Sequence, residues 1–374
     1  MNRSMIMDRL LHLNKAQALN PELLKQYEPI LRFNCGEVFF PTDVDRYINS
    51  CSLWVSHSDG HEEQLLADGE VTVENLVAFR KLEEGDVLYL RFVDDLSLSE
   101  ITKQFLRGER LFARALERGW IPGKGRLARV GYLSRLMDAL FSLALLVRGK
   151  VPGATEAVAE RKSLNIQSEG QRFVYYGRVF RDSGWIGLQY WYFYHYGDWR
   201  TGFNGVNDHE GDWETVFVYL YENSNGEVVP RWAVYSCHEF IGGDLRRRWD
   251  DAGELDLIGD HPVVYVGAGS HASYFQPGEY VIEADVPIIE RISRPWTKLR
   301  EIVGNLLGFT TKSTPQVKGM LKIPFVEYAN GNGVSIGEGQ EHEWEAVVLD
   351  PLPDWALNYR GLWGLYTRGS ISGE

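Results

Sequence analysis

Apolar runs rich in β-branched and aromatic residues give strand character to 173–180, 187–196, 215–221, 231–236 and 262–267. Glycine-bearing turns separate these runs, and Asn225-Gly226 is a hairpin signal. Upstream, 29–44 alternates in the manner of short strands and 86–93 predicts another. Short helices are expected at 22–26, after the Asn20-Pro21 break, and around 74–79. From 97 to about 162 the period becomes helical: Ile101, Phe105, Leu106, Phe112 and Leu116 recur at helical spacing, 119–125 interrupts them, and 133–147 resumes. Many short strands at this spacing predict a mainly β chain, a jelly-roll-like β-sandwich with a helical insertion and short flanking helices. The expected organisation is 1–96, strands and helices belonging to the sandwich; 97–165, the insertion; and 166–374, the sandwich core carrying the site.

Two segments raise the question of membranes. The run 136–147 is almost wholly apolar, but its 12 residues fall short of the ~20 needed to span a bilayer. It fits a helix buried in a hairpin, or one lying in a membrane interface with Arg126, Arg129, Arg135, Arg148 and Lys150 toward lipid phosphates. The basic amphipathic stretch 287–311 sets Arg291, Arg294, Lys298 and Arg300 beside Trp296 and Leu299, which suits an anionic lipid headgroup region or a solvated helix equally. Asp8 and Arg9 interrupt the N-terminus where a signal peptide needs an apolar core, so a cytoplasmic protein, peripheral to membrane at most, is expected.

Composition narrows the picture. A net charge of −13 argues against a nucleic-acid binder, although 101–165 carries 13 Lys or Arg against 5 Asp or Glu. Aromatic residues at 13% favour strands and flat contact surfaces. Cys35, Cys51 and Cys237 form neither a disulfide framework nor a zinc spacing, which points to a reducing compartment.

The densest chemistry lies at 207–214, Asn-Asp-His-Glu-Gly-Asp-Trp-Glu. With 213–220 as a strand, Asp212 and Glu214 share a face and Trp213 takes the other, while a turn at Gly211 folds His209 back toward the carboxylates. Asp198, ending the aromatic run 189–198, adds a third carboxylate. Asp198, His209, Asp212 and Glu214 form an oxygen-rich set that suits Mg²⁺, Ca²⁺ or Mn²⁺ better than structural zinc. Two other readings stay open: acid/base chemistry through a carboxylate of raised pKa, and a polar turn to which Asp208 and Glu210 belong. The small-residue stretch 267–275 lets Ser270 and His271 approach a ligand, and with Tyr274 and Trp213 they complete the candidate ligand-binding set. The Gly-x-Ser-x-Gly elbow fails at Ala268 and Ala272, against a serine hydrolase. Glu341-His-Glu-Trp-Glu345 echoes the composition of 209–214 as a single short match, better explained by chance than by duplication.

The segments 27–33, 40–44, 188–194, 209–214, 269–274 and 361–364 together resemble the vacuolar protein sorting-associated protein 62 family and its plant and microbial relatives, over most of the chain outside the helical insertion. More remotely, 209–214 is similar to the Gly-His-Arg-His-Asp-Trp-Glu motif of necrosis- and ethylene-inducing-peptide-like cytolysins, which are β-sandwiches. That resemblance implies a divalent cation held by Asp198, His209, Asp212 and Glu214 and used in engaging membrane sphingolipid headgroups. Asp208 stands at the motif's Gly, and Glu210 and Gly211 replace its Arg and second His. The expected function is a cation-dependent module recognising a polar or lipid headgroup, related to trafficking. A metal-assisted hydrolase using His271 or Glu210, and a sorting scaffold with a structural carboxylate cluster, are the alternatives.

Overall fold

The computed structural model describes residues 20–79, 83–93, 155–198, 208–237, 245–287 and 320–365. Its first half runs α1 (Asn20–Gln26), β1 (Ile30–Arg32), α2 (Val44–Asn49), β2 (Ser52–Ser56), β3 (Glu62–Leu66), α3 (Val73–Leu76), β4 (Val87–Arg91), α4 (Thr155–Ser168) and β5 (Val174–Asp182). The long strands β6 (Trp185–Gly197), β7 (His209–Glu222) and β8 (Val228–Tyr235) follow, then β9 (Arg246–Arg248), β10 (Leu257–Ile258), β11 (His261–Val266) and β12 (Ser273–Tyr274). The last elements are β13 (Gly278–Pro287), β14 (Met320–Ala329), β15 (Ser335–Ile336), β16 (Glu345–Val348) and α5 (Asp354–Asn358).

A six-stranded sheet ordered β16-β5-β6-β7-β8-β9 is the centre of a mainly β, sandwich-like fold. On its inner face Leu188, Tyr190, Tyr192, Tyr194, Val216 and Val218 pack against Leu31, Val264, Val266 and Ile336 of a second sheet, β10-β11-β1-β15, to which β12 adds through β11. The hydroxyl of Tyr235 on β8 donates to the Val263 carbonyl of β11 at 3.1 Å, satisfying a buried polar group while joining the two sheets. The outer face of the central sheet carries Tyr176, Phe193 and Trp213, and is covered in part by α2, α4, α5 and the three-stranded sheet β3-β2-β4. A third layer, the hairpin β13-β14, packs Tyr280 and Ala329 against Val263 and Tyr265.

The predicted strands reappear as β5, β6, β7, β8 and β11, and the short helices as α1 and α3. The stretch 29–44 differs: only Ile30–Arg32 is a strand, and α2 begins at Val44 where Asp43 caps it by accepting from the Asp45 N–H at 2.9 Å. β-Branched and aromatic residues conceal this helix, because burial of Val44, Tyr47 and Ile48 outweighs their local preference. The helical insertion lies outside the described residues apart from α4, as do the apolar run 136–147 and nearly all of 287–311. Among the described residues no helix is long and apolar enough to cross a membrane.

Candidate functional site

The ladder between β6 and β7 pairs Tyr192 with Glu214, Tyr194 with Asp212, Tyr196 with Glu210 and Gly197 with His209. Side-chain alternation does not survive the full length of this ladder. Gly211 has φ +66° within the strand, and a Cβ there would stand 2.5 Å from the Trp363 carbonyl oxygen. Asp212 and Glu214 therefore face the inner core beside Tyr194, whereas Glu210 turns to the outer side with Phe92 and Val93.

This corrects the placing of Glu210 in a loop. It is a buried strand residue whose carboxylate accepts the backbone N–H groups of Phe92 (3.0 Å), Val93 (2.8 Å) and Leu365 (3.0 Å). Burial raises its pKa, and those three donors oppose the rise. Asp208 is buried as well and accepts from the Tyr196 hydroxyl at 3.4 Å, so neither acid belongs to a solvated turn.

His271 sits on the other side of the kink, in the Gly267–Ala272 turn that links β11 to β12, with its backbone in the left-handed region at φ 57°. Its ring stacks on Tyr194 with centroids 3.8 Å apart and planes 2° from parallel. Nδ1 donates to Asp212 Oδ2 at 2.7 Å, and Nε2, sealed from solvent, lies 3.9 Å from Glu37 Oε1. Glu37 is fixed in turn by the N–H groups of Val38 (2.9 Å), Phe39 (3.2 Å) and Gly269 (3.0 Å). At the outer end of the chain, His209 Nε2 lies 3.4 Å from Asp212 Oδ1, its ring over Gly197 and its side chain 29% exposed. Four titratable groups thus adjoin one another in the order His209, Asp212, His271 and Glu37, with His271 the most buried. Glu214 accepts a hydrogen bond from the Ser236 hydroxyl, just past the end of β8.

Burial is the largest influence on each of the three inner groups, and it is outweighed in all three. Burial alone would discharge His271, yet the adjoining Asp212 and Glu37 carboxylates push its pKa up to about 9. Burial would likewise raise Glu37, but His271 and the Val38 and Phe39 N–H groups bring it down to about 2. Asp212, between two imidazoles, is held well below the usual carboxylate range. The two flanking carboxylates thus favour the protonated form of His271. Its shape is that of a buried ion-pair clamp.

The candidate residues thus divide. His209, Asp212 and His271 are brought together, with Glu214 on the same strand face; Asp198 is buried just past the end of β6. Trp213 faces away, packed among Trp191, Trp355 and Trp363. Ser270 accepts the Ala272 N–H at 3.3 Å, and the Tyr274 hydroxyl bonds Glu327, so both serve their own turn and hairpin. Among the described residues no group of three or more His, Cys, Asp or Glu is arranged to hold a metal ion. Each Asp212 oxygen faces an imidazole, Oδ1 that of His209 and Oδ2 that of His271. Sequence reasoning missed Glu37, whose one signal is a charged residue between the Cys35-Gly36 turn and the apolar run Val38-Phe39-Phe40.

The fold and this buried carboxylate–imidazole chain define a mainly β, sandwich-like protein with an internal ion-pair network. Over 125 residues the chain is 27% identical to TDA6 of Saccharomyces cerevisiae, provisionally named a vacuolar protein sorting-associated protein. That alignment covers 29% of this chain and 25% of TDA6, a distant vacuolar-sorting-related relationship. No family profile and no solved structure matches the chain.

Proposed function

We propose that this chain is a non-catalytic scaffold or binding module of membrane trafficking, in which the Glu37–His271–Asp212 clamp is structural. The observation that carries this reading is the fully buried His271, held between two carboxylates with neither nitrogen open to a substrate. A general base needs a ring nitrogen within reach of a reacting proton, and both of His271's nitrogens are buried beside carboxylates. Glu210 accepts three backbone donors, which supports a structural role for it over that of a proton carrier. The distant likeness to TDA6 supports the trafficking context. The test is cellular: the tagged full chain, expressed in yeast, is expected on endosomal and vacuolar membranes. An even cytosolic distribution of folded protein overturns the reading.

A second reading retains the divalent cation, because His209 presents a part-exposed Nε2 beside Asp212 on the strand that also carries Glu214. Under this reading Asp198, His209, Asp212 and Glu214 rearrange to bind Ca²⁺, Mg²⁺ or Mn²⁺, and the occupied rim engages an anionic lipid headgroup. Calorimetric titration with each cation, repeated on Asp212→Asn and Glu214→Gln, tests the first step. Flotation with anionic liposomes, with and without chelator, tests the second. Absence of saturable binding in the first experiment, or chelator-insensitive flotation in the second, eliminates this version.

A further inference from the structure

The aromatic face of the central sheet continues beyond the elements that cover it. Next to the β5–β6 turn, where Ser183 (φ 51°) and Gly184 (φ 83°) are both left-handed, Trp185 is 37% exposed. Tyr221 lies opposite it on β7 and meets it edge-on at 5.2 Å. Trp232 on β8 pairs with Arg248 on β9, and Arg246 lies over the Trp232 ring at 5.2 Å. Trp249 is fixed by its N–H bond to the Arg231 carbonyl (2.9 Å) and by an edge-on contact with Tyr27 (5.8 Å). Together Trp185, Tyr221, Trp232 and Trp249 wall a cleft of about 350 Å³ with Arg231, Arg248 and Asp250 on its rim.

Large half-exposed rings held rigidly around a concavity of this size are the usual lining of a small-molecule site. The charges then select the ligand's sign. Arg248 forks onto both Asp250 oxygens at 2.8 and 2.6 Å, so the acid on the rim is already neutralised. Arg231 and Arg246 make no ion pair among the described residues, and they concentrate positive charge on a chain whose net charge is −13. Such a site favours an anion over a neutral or cationic ring. A second cleft of about 480 Å³ shares Trp249 and Asp250 and adds Arg32, Asp256 and Tyr265.

We propose that the Trp185–Trp232–Trp249 cleft binds a planar ring carrying a negative group, the chemistry of a nucleoside monophosphate, with the ring against the indoles and the phosphate toward Arg231. Aromatic walls supply stacking that any flat π-system can use, and arginine supplies the anion contact. The ligand has two possible sources, a free nucleotide or the end of a single strand.

Calorimetry on the full chain distinguishes them, using AMP, adenosine, ribose 5-phosphate and a 5′-phosphorylated oligothymidylate. AMP or the oligonucleotide is expected to bind saturably, with adenosine and ribose 5-phosphate each at least about tenfold weaker. Trp185→Ala and Arg231→Ala, both at the surface, should each weaken binding by about tenfold or more with Tm unchanged. Tighter binding of the oligonucleotide assigns a strand and tighter AMP a free nucleotide; either upholds the site. Failure of both probes to bind, equal affinity for adenosine and AMP, or binding untouched by both substitutions overturns the proposal. The same holds if the protein binds anionic vesicles through Trp185 while ignoring both probes, which would make the face a lipid contact.

Discussion

Raising the pH from 6 to 9 should dismantle the His271 clamp, and its stabilisation can be worked out from the structure. An unfolded histidine titrates near 6.5, whereas the folded His271 holds its proton up to about 9. Between those values the folded protein binds one more proton than the unfolded chain, so stability declines as the pH rises. The contribution is fully present below 6.5 and lost above about 9. At roughly 1.4 kcal/mol per pH unit this interval corresponds to about 3 kcal/mol, a large part of the ~5–15 kcal/mol that holds a typical domain together. Urea denaturation of the native protein and of His271→Gln at pH 6, 7.5 and 9 isolates the effect, since groups common to both cancel in the difference. The stability gap between them should shrink by about 3 kcal/mol from the lowest pH to the highest. A gap that stays constant with pH would mean that His271 is neutral in the folded protein and that the clamp is not ionic.

Two further outcomes follow from the kink in β7. Gly211→Ala forces a side chain into the left-handed region and against the Trp363 carbonyl, and should cost about 2 kcal/mol or more by the same denaturation assay. Glu210→Gln keeps one acceptor oxygen for three backbone donors and turns an amide group toward the rest; a loss of about 2 kcal/mol is expected, with amide exchange at Phe92, Val93 and Leu365 accelerated.

The strands of this protein were legible because runs of β-branched and aromatic residues bounded by turn residues are a local signal; β7 adds a regular alternation of burial, whereas β11 is buried along nearly its whole length. His209, Asp212 and His271 were legible as polar residues placed where strands begin or end. Glu37 was not, since its meeting with His271 depends on a loop closure that no spacing in the sequence encodes. Glu210 was misplaced for a different reason. Glycine usually signals a turn, so the residues before Gly211 read as loop, whereas the chain uses its positive φ inside an unbroken ladder to send neighbouring acids to opposite faces. Trp213 was correctly assigned to the face away from Asp212, but only the structure shows that face filled by Trp355 and Trp363.

The position of β1 has a consequence for biosynthesis. It is an interior strand of its sheet, flanked by β11 and β15, and the Pro29 carbonyl just before it receives the Trp344 indole N–H from 315 residues away. At roughly 5–20 residues per second, a ribosome needs on the order of 15–60 s to deliver those partners after β1 has emerged. Throughout that interval Leu31 lacks the strands that bury it in the finished fold, and the second sheet stays unassembled. This layer therefore cannot close until β15 has been made, and a nascent chain interrupted before β15 carries an unfilled slot beside β1, a ready target for chaperones or for the matching strand of another copy.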